Sequence, residues 1–249
     1  TQVAAGKVAL DANTALGAGS ATFAKDTELS LGVTKGLSVA NAIEVDGEVD
    51  VHSGKFDSSL TGEISGSGSL VKDGSGQLNL TGANSYKGGT TISAGKIALD
   101  ANAALGTGKA TFAKDTELSL GITKALSVDN NVQVDGEVKV HSGSFDSSLD
   151  GVVSGVGSLV KHGTGTLTLK GSNSYEGGTV VNEGTLAISQ NANLGKAETG
   201  VTVSNATLLL NGDIAIERKV TLSGTTATLN TAGNTSSIID DVVSGTAKL

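Results

Sequence analysis

GSGSLVKDGSGQLNLTGANSYKGGTTISAGKIAL, residues 66–99, is the stretch from which the fold can be predicted. Leu78 and Leu80 alternate with polar residues, and Ile97 and Leu99 do the same, which is the two-residue period of half-buried β-strands. Glycines stand between these runs, where tight turns favour a residue without a Cβ atom. The stretch therefore predicts short strands joined by tight corners, each strand giving one or two aliphatic side chains to an interior.

The same sequence pattern recurs along the chain as a tandem repeat. Residues 5–93 align without gaps to residues 94–182, with 63 of 89 positions identical, and a diverged partial copy covers residues 183–249. Strand-like cores recur at intervals of about 20 residues, which is one turn of a parallel β-helix. We therefore expect an all-β chain, folded over residues 1–249 as one right-handed parallel β-helix, a solenoid of roughly eleven turns.

Differences between the first two copies separate the predicted interior from the predicted surface. Aliphatic exchanges are what a packed interior tolerates; they occur at Val8/Ile97, Val33/Ile122, Ile43/Val132, Ile64/Val153 and Ile92/Val181. Exchanges of charge predict solvent-facing positions; they occur at Asp50/Lys139, Thr61/Asp150, Asp73/His162 and Lys87/Glu176. Helices are not expected, and residues 99–106 are interpreted as a corner or a single helical turn.

Composition excludes several classes of protein. The 36 glycines, with no Pro, Cys, Met or Trp and only 2 Tyr and 4 Phe, predict many thin aliphatic layers instead of one large core. The formal charge of −8 disfavours nucleic acid and anionic membranes as partners, because both bind basic patches. The absence of cysteine excludes disulfides and thiol chemistry. No apolar run approaches the length of a membrane helix, so we expect no insertion into a membrane.

A long pattern of glycines, leucines and single polar residues runs from Gly66 to Leu105 and returns from Gly155 to Gly195. Its fixed positions in the first run are Leu70, Lys72, Gly74, Gly76, Leu78, Leu80, Gly82, Asn84, Tyr86, Gly88, Gly89, Thr90, Gly95 and Leu105, with counterparts 89 positions on. The pattern closely resembles the autotransporter-associated β-strand repeat, which is found in the passenger domains of type V secreted bacterial proteins.

The resemblance implies a right-handed parallel β-helix that is exported through the outer membrane and displayed on the bacterial cell surface. It also implies adhesion or self-association, as in AIDA-type passengers, with a second copy or a host-surface or extracellular-matrix ligand as partner. The matched motif is architectural and brings no functional residues with it. The chain has no Trp and no aromatic girdles, so we expect the translocator barrel to be absent and the chain to be a fragment of a longer passenger.

Residues capable of chemistry are sparse, and we expect no catalytic, cofactor-binding or metal-binding site and no enzyme. His52, His141 and His162 are interpreted as solvent-facing or corner residues, because His52 and His141 are repeat equivalents about four turns apart. The carboxylate pairs are interpreted as solvated turns; they are Asp46 with Glu48, Asp135 with Glu137, and Asp240 with Asp241. Serine-protease and nucleotide-binding motifs lack the strand–turn–helix setting that they require.

Other polar and aromatic repeat residues receive structural interpretations. Asn84 and Asn173 are predicted to hold a corner through hydrogen bonds from side chain to backbone. Tyr86 and Tyr175 are predicted to pack over that corner. The pairs Phe23/Phe112 and Phe56/Phe145 are interpreted as core or stacking residues.

Three functions remain open at this stage. The first is an adhesin that aggregates cells or attaches them to a host through polar side faces of the β-helix. The second is a passive stalk that presents a distal functional domain, which near-identical tandem copies favour. The third is a β-helix enzyme acting on polysaccharide. Such an enzyme needs a cleft of carboxylates with sugar-stacking aromatic residues nearby, and this chain has few aromatic residues.

Overall fold

The computed structural model describes residues 1–121, 123–232, 238–239 and 243–245. The chain divides into a first unit, Thr1–Thr123, and a second unit, Lys124–Leu249. Both are built from parallel strands, and the predicted all-β solenoid of about 11 turns is confirmed. Among the described residues, no helix is long and apolar enough to cross a membrane.

The described residues of the first unit form fifteen short strands. They are β1 Gln2–Val3, β2 Gly6–Ala9, β3 Ala21–Phe23, β4 Thr27–Leu31, β5 Ser38–Val39, β6 Ile43–Val45, β7 Glu48–Ser53, β8 Ser58–Leu60, β9 Ile64–Ser65, β10 Ser69–Asp73, β11 Gln77–Leu80, β12 Thr90–Ile92, β13 Lys96–Leu99, β14 Ala110–Phe112 and β15 Thr116–Leu120. They form three parallel stacks, ordered β1-β3-β6-β9, β2-β4-β7-β10-β12-β14 and β5-β8-β11-β13-β15.

The second unit continues with strands of the same length and one short helix. The strands are β16 Ser127–Val128, β17 Val132–Val134, β18 Glu137–His141, β19 Ser147–Leu149, β20 Val153–Ser154, β21 Ser158–His162, β22 Thr166–Leu169, β23 Thr179–Val181, β24 Thr185–Ile188, β25 Val201–Ser204, β26 Thr207–Leu210, β27 Ala215–Ile216, β28 Val220–Ser223, β29 Thr228–Asn230, β30 Ile238–Ile239 and β31 Val243–Gly245. The helix is a 3₁₀ turn at Asn191–Leu194, at the position of the predicted corner in the third copy. The two larger stacks are ordered β16-β19-β22-β24-β26-β29 and β18-β21-β23-β25-β28-β31.

Strand pairing confirms the predicted length of one turn. Leu70 on β10 pairs with Val49 on the turn before it and with Thr90 on the turn after it. These partners lie about one coil of 20 residues apart in sequence, so each strand stacks on its equivalent in the next coil. The chain runs in the same direction on every coil, which is why all the described pairs are parallel.

Aliphatic side chains stack inside the coils. In the first unit, Leu60, Leu80, Leu99 and Leu120 occupy paired positions on four successive strands and are at most 2% exposed. Burying each such side chain contributes about 2 kcal/mol. The buried exchange positions include Ile43, Ile64 and Ile92 with their counterparts in the second copy, as predicted.

One of the predicted interior positions is wrong. Val33 is 51% exposed, because it lies in the bend that follows β4 and not in a strand. Its counterpart Ile122 lies outside the described residues. The alternation of inward and outward side chains holds within strands, and it does not extend into the corners.

The corners depend on close approach between neighbouring coils. Gly66 and Gly155 both have φ near +110°, a conformation that residues with a side chain rarely adopt. A Cβ atom at Gly66 would collide with the carbonyl oxygen of Val45 on the preceding coil, and Gly155 meets Val134 in the same way. The repeat therefore requires glycine at this corner for both its conformation and its lack of a side chain.

Candidate functional site

The repeated asparagines link three successive coils, which confirms their predicted role. Asn84 accepts a hydrogen bond from the Ile64 amide at 2.8 Å through Oδ1 and donates one to the Ala104 carbonyl at 2.6 Å through Nδ2. Asn173 makes the equivalent bonds to the Val153 amide at 2.7 Å and the Asn193 carbonyl at 2.6 Å. Each side chain thus satisfies one donor on the coil before it and one acceptor on the coil after it.

The tyrosines are buried beside those corners. The hydroxyl of Tyr86 shares a hydrogen bond of 2.5 Å with Thr90, and Tyr175 shares one of 2.6 Å with Thr179. Burial raises the pKa of the Tyr175 phenol to about 12 and raises that of Tyr86 as well. Neither phenol is placed to act as an acid or base at neutral pH.

The phenylalanines divide into two kinds. Phe23 and Phe112 are fully buried, as predicted for core residues. Phe56 and Phe145 are 36% exposed, so the core interpretation is wrong for this pair. Both lie in the turn ahead of a strand, and the ammonium group of Lys55 sits 5.1 Å from the centre of the Phe56 ring, within reach of a cation–π contact.

Two buried lysines are the main feature that the sequence interpretation missed. Lys72 and Lys161 are at most 1% exposed and point into the coil. Each ammonium group donates three hydrogen bonds of 2.7–3.1 Å to backbone carbonyls at a corner: Lys72 to Asp73, Gly74 and Ala94, and Lys161 to His162, Gly163 and Glu183. Burial lowers the pKa of each lysine to about 8. Through these hydrogen bonds, each lysine links the corner of its own coil to the next coil.

Arg218 plays a similar part in the third copy. It is 2% exposed, and its guanidinium group donates to carbonyl oxygens around the 3₁₀ turn. The acceptors include Leu194 at 2.8 Å, Asn191 at 3.0 Å and Gly195 at 3.1 Å. A guanidinium carries five donors in a fixed fork, so one arginine satisfies several carbonyls that the short helix leaves open.

The histidines lie half-exposed at strand ends, as predicted, but they are paired. The Nδ1 atom of His52 is 2.8 Å from Oδ1 of Asp73, its partner on the next coil. The corresponding pair in the second copy is His141 with His162, whose rings stack with centroids 5.2 Å apart and planes within 13°. The sequence interpretation compared His52 with His141 and missed that His162 lies beside His141, one coil away.

The predicted carboxylate pairs that the structure describes lie exposed at turns. Asp46 and Glu48 flank one turn, and Asp135 and Glu137 flank the equivalent turn in the second copy. The third pair, Asp240 and Asp241, falls outside the described residues. Within the part of the chain that is described, no group of three or more His, Cys, Asp or Glu residues is arranged to hold a metal ion.

One sheet of the second unit has no charged residue within its strands, although the carboxylate of Asp150, which follows β19 and pairs with Lys170, accepts a hydrogen bond from Ser127 on β16. Its six described strands, β16, β19, β22, β24, β26 and β29, contain no Asp, Glu, Lys or Arg. Four threonines hold paired outward positions on its last four strands and form a hydroxyl row: Thr166, Thr185, Thr207 and Thr228. In the first unit, the corresponding sheet β5-β8-β11-β13-β15 carries a Lys96–Glu117 ion pair of 3.2 Å at the same outward positions.

Comparison with known proteins finds similarity in the two repeat copies. Residues 70–99 and 159–188 match the passenger-associated-transport-repeat family. The adhesin BmaC autotransporter of Brucella suis biovar 1 (strain 1330) is 38% identical over 133 residues, which is 52% of this chain and 4% of that protein. The chain therefore spans a small part of this relative's length. No solved structure matches the chain.

The matched stretches cover interior and corner residues that the two copies share. Each matched stretch begins at an inward leucine, Leu70 or Leu159, and includes a buried lysine and a coil-linking asparagine. Passengers are exported through the outer membrane to the bacterial cell surface, which confirms the predicted localisation. Both matches support an autotransporter passenger with β-helix repeats, as the sequence predicts.

Proposed function

We propose that this chain is part of a surface adhesin and associates with a second copy of itself through the uncharged sheet β16-β19-β22-β24-β26-β29. The observation that carries the proposal is the hydroxyl row Thr166–Thr185–Thr207–Thr228 on the last four of six strands that contain no charged residue. The relative named as an adhesin supports the general role. It also supports a role other than catalysis.

Docking two faces is least costly where little charge is desolvated. In a chain with 17% charged residues, six neighbouring strands without any are a marked departure from the average. Each threonine hydroxyl both donates and accepts, so two such rows can pair with each other. The half-exposed Leu209, outward on β26, adds apolar area to the same face.

Regular spacing multiplies a weak contact. Adjacent strands of a sheet lie about 4.8 Å apart, so equivalent hydroxyls recur at that interval along the row. Two copies that meet at one pair of hydroxyls bring the next pair into register at little further cost in entropy. Many such rows on one cell then give strong attachment from individually weak contacts.

The experiment displays the passenger on bacteria and measures their settling. We expect the double variant Thr185→Lys/Thr207→Lys to abolish aggregation, because it places two like charges on the face that must be desolvated. The matched control is Thr202→Lys/Thr221→Lys, which changes a half-exposed outward pair on the neighbouring sheet β18-β21-β23-β25-β28-β31. The control should settle like the parent, with surface display of all three checked by antibody.

The remaining outcomes separate this proposal from its alternatives. Equal settling of parent and both variants would overturn self-association through this face and favour the passive stalk. Loss of binding to host matrix without loss of settling would assign the face to a host ligand instead. Release of reducing sugar from a polysaccharide by the purified chain would favour the enzyme.

A further inference from the structure

We propose that His141 and His162 bind a divalent transition-metal ion of the kind that takes imidazole nitrogen, such as Zn²⁺. The two residues occupy paired positions on β18 and β21 and both face outward. Their rings stack 5.2 Å apart with planes within 13°, so the two imidazoles lie side by side. Neutral imidazole is among the commonest ligands for such metals in proteins.

The sheet brings the two rings within chelating range. Zinc–nitrogen bonds of about 2.0–2.1 Å require the two ligating nitrogens to come within about 3.3 Å in a tetrahedral site. Side chains at directly opposed positions have Cβ atoms about 5 Å apart, so a rotation of one or both rings closes the remaining gap. Both side chains are half-exposed, so one edge of each ring is open to solvent.

A third ligand lies on the next coil. The Nδ2 atom of Asn182 is 3.4 Å from Nε2 of His162, which places the side-chain amide beside the ring edge. A half-turn of that amide brings its oxygen to the position of the nitrogen. The site then offers two imidazoles and one amide oxygen on three successive coils, and water fills the open position.

The first copy supplies a contrast at the same place. There the partner of His52 is Asp73, and a 2.8 Å contact between them engages one imidazole nitrogen. The residue equivalent to Asn182 is Ser93, which has no amide oxygen. The second copy thus differs from the first at two of the three proposed ligand positions, and His52 serves as an internal control.

One neighbouring charge opposes the metal. Lys139 lies outward on β18, two residues before His141, while the first copy has Asp50 at that position. A cation bound by neutral ligands beside an ammonium group is held less tightly than one beside a carboxylate. The exchange Lys139→Asp therefore increases affinity if the ion binds where we propose.

The experiment titrates the purified 249-residue chain with Zn²⁺ by calorimetry. We expect one ion per chain, released by EDTA, and an affinity reduced at least about tenfold by either His141→Gln or His162→Gln. The control His52→Gln should leave the affinity unchanged, and Lys139→Asp should raise it severalfold. Circular dichroism checks that each variant keeps its β-structure.

Three results would overturn the proposal. They are the absence of binding to the parent chain, binding that survives both histidine substitutions, and binding that is lost in His52→Gln. The titration uses isolated protein and does not depend on aggregation. Its outcome is therefore independent of whether the uncharged sheet mediates self-association.

Discussion

Lys72 and Asp73 are neighbours in the chain, and comparison with their equivalents Lys161 and His162 separates two kinds of position. The lysine is present in both copies, points inward and is at most 1% exposed. The next residue points outward, is half-exposed, and is an aspartate in one copy and a histidine in the other. Two adjacent positions on a strand thus behave differently. The inward lysine holds the corner and is the same in both copies, whereas the outward residue next to it differs in side-chain type between the copies.

The physical difference lies in what each side chain satisfies. The inward lysine donates to three backbone carbonyls, one of which belongs to the next coil. No other side chain is long enough and rich enough in donors to replace it there without a change of shape. The outward residue contacts its neighbour in the ladder, as His52 contacts Asp73, and water can replace such a contact at small cost.

The largest effect is expected from removing a buried lysine. Lys161→Met leaves three carbonyls without their charged donor, so the free energy of unfolding should fall by about 3 kcal/mol or more. The matched control is Lys170→Met, which removes an exposed lysine and its 2.7 Å ion pair with Asp150. We expect the control to cost less than about 1 kcal/mol. Urea denaturation followed by circular dichroism measures both, and equal losses would break the distinction between the two sides of the strand.

A smaller effect is expected from pH. Burial lowers the pKa of Lys72 and Lys161 to about 8, whereas an unfolded lysine titrates near about 10.4. Between these values the unfolded chain binds more protons than the folded chain, so the free energy of unfolding should rise from pH 8 to pH 10. Above about pH 10 the trend should reverse, because burial raises the pKa values of Tyr86 and Tyr175 and the folded chain then keeps protons that the unfolded chain loses.

The measurement is the urea midpoint at pH 8, 9, 10 and about 11. In the double variant Lys72→Met/Lys161→Met, the rise between pH 8 and pH 10 should disappear, while the fall above pH 10 remains. A rise of equal size in parent and variant would show that other groups cause it.

The fold could be predicted because its signal is repeated. Alternation within each strand and the return of the pattern after 89 residues both indicate a parallel solenoid. The role of the asparagines at the corners could be predicted from the same repeat pattern. The burial of Lys72 could also have been predicted, because it lies two positions after the inward Leu70 and therefore on the same side of β10.

Other features needed the register between coils. His141 and His162 are 21 residues apart, which is one coil, but only the pairing of β18 with β21 shows that they are directly opposed. The uncharged sheet likewise draws its six strands from separate coils between Ser127 and Asn230. Phe56 and Val33 lie in turns, where inward and outward no longer alternate, so their exposure could not be derived from the two-residue period.

The smallest effect is expected when the outward residue is exchanged for that of the other copy. His162→Asp gives His141 a carboxylate neighbour, as His52 has in Asp73, and should change the free energy of unfolding by less than about 0.5 kcal/mol at pH 7. The reciprocal exchange Asp73→His should be as mild, because stacked half-exposed rings already occur at the equivalent place. Urea denaturation of both variants provides the measurement. A loss above about 1.5 kcal/mol in either variant would mean that stability is sensitive to substitution at the outward position as well as at the buried lysine. The side of the strand would then not explain which residues differ between the copies.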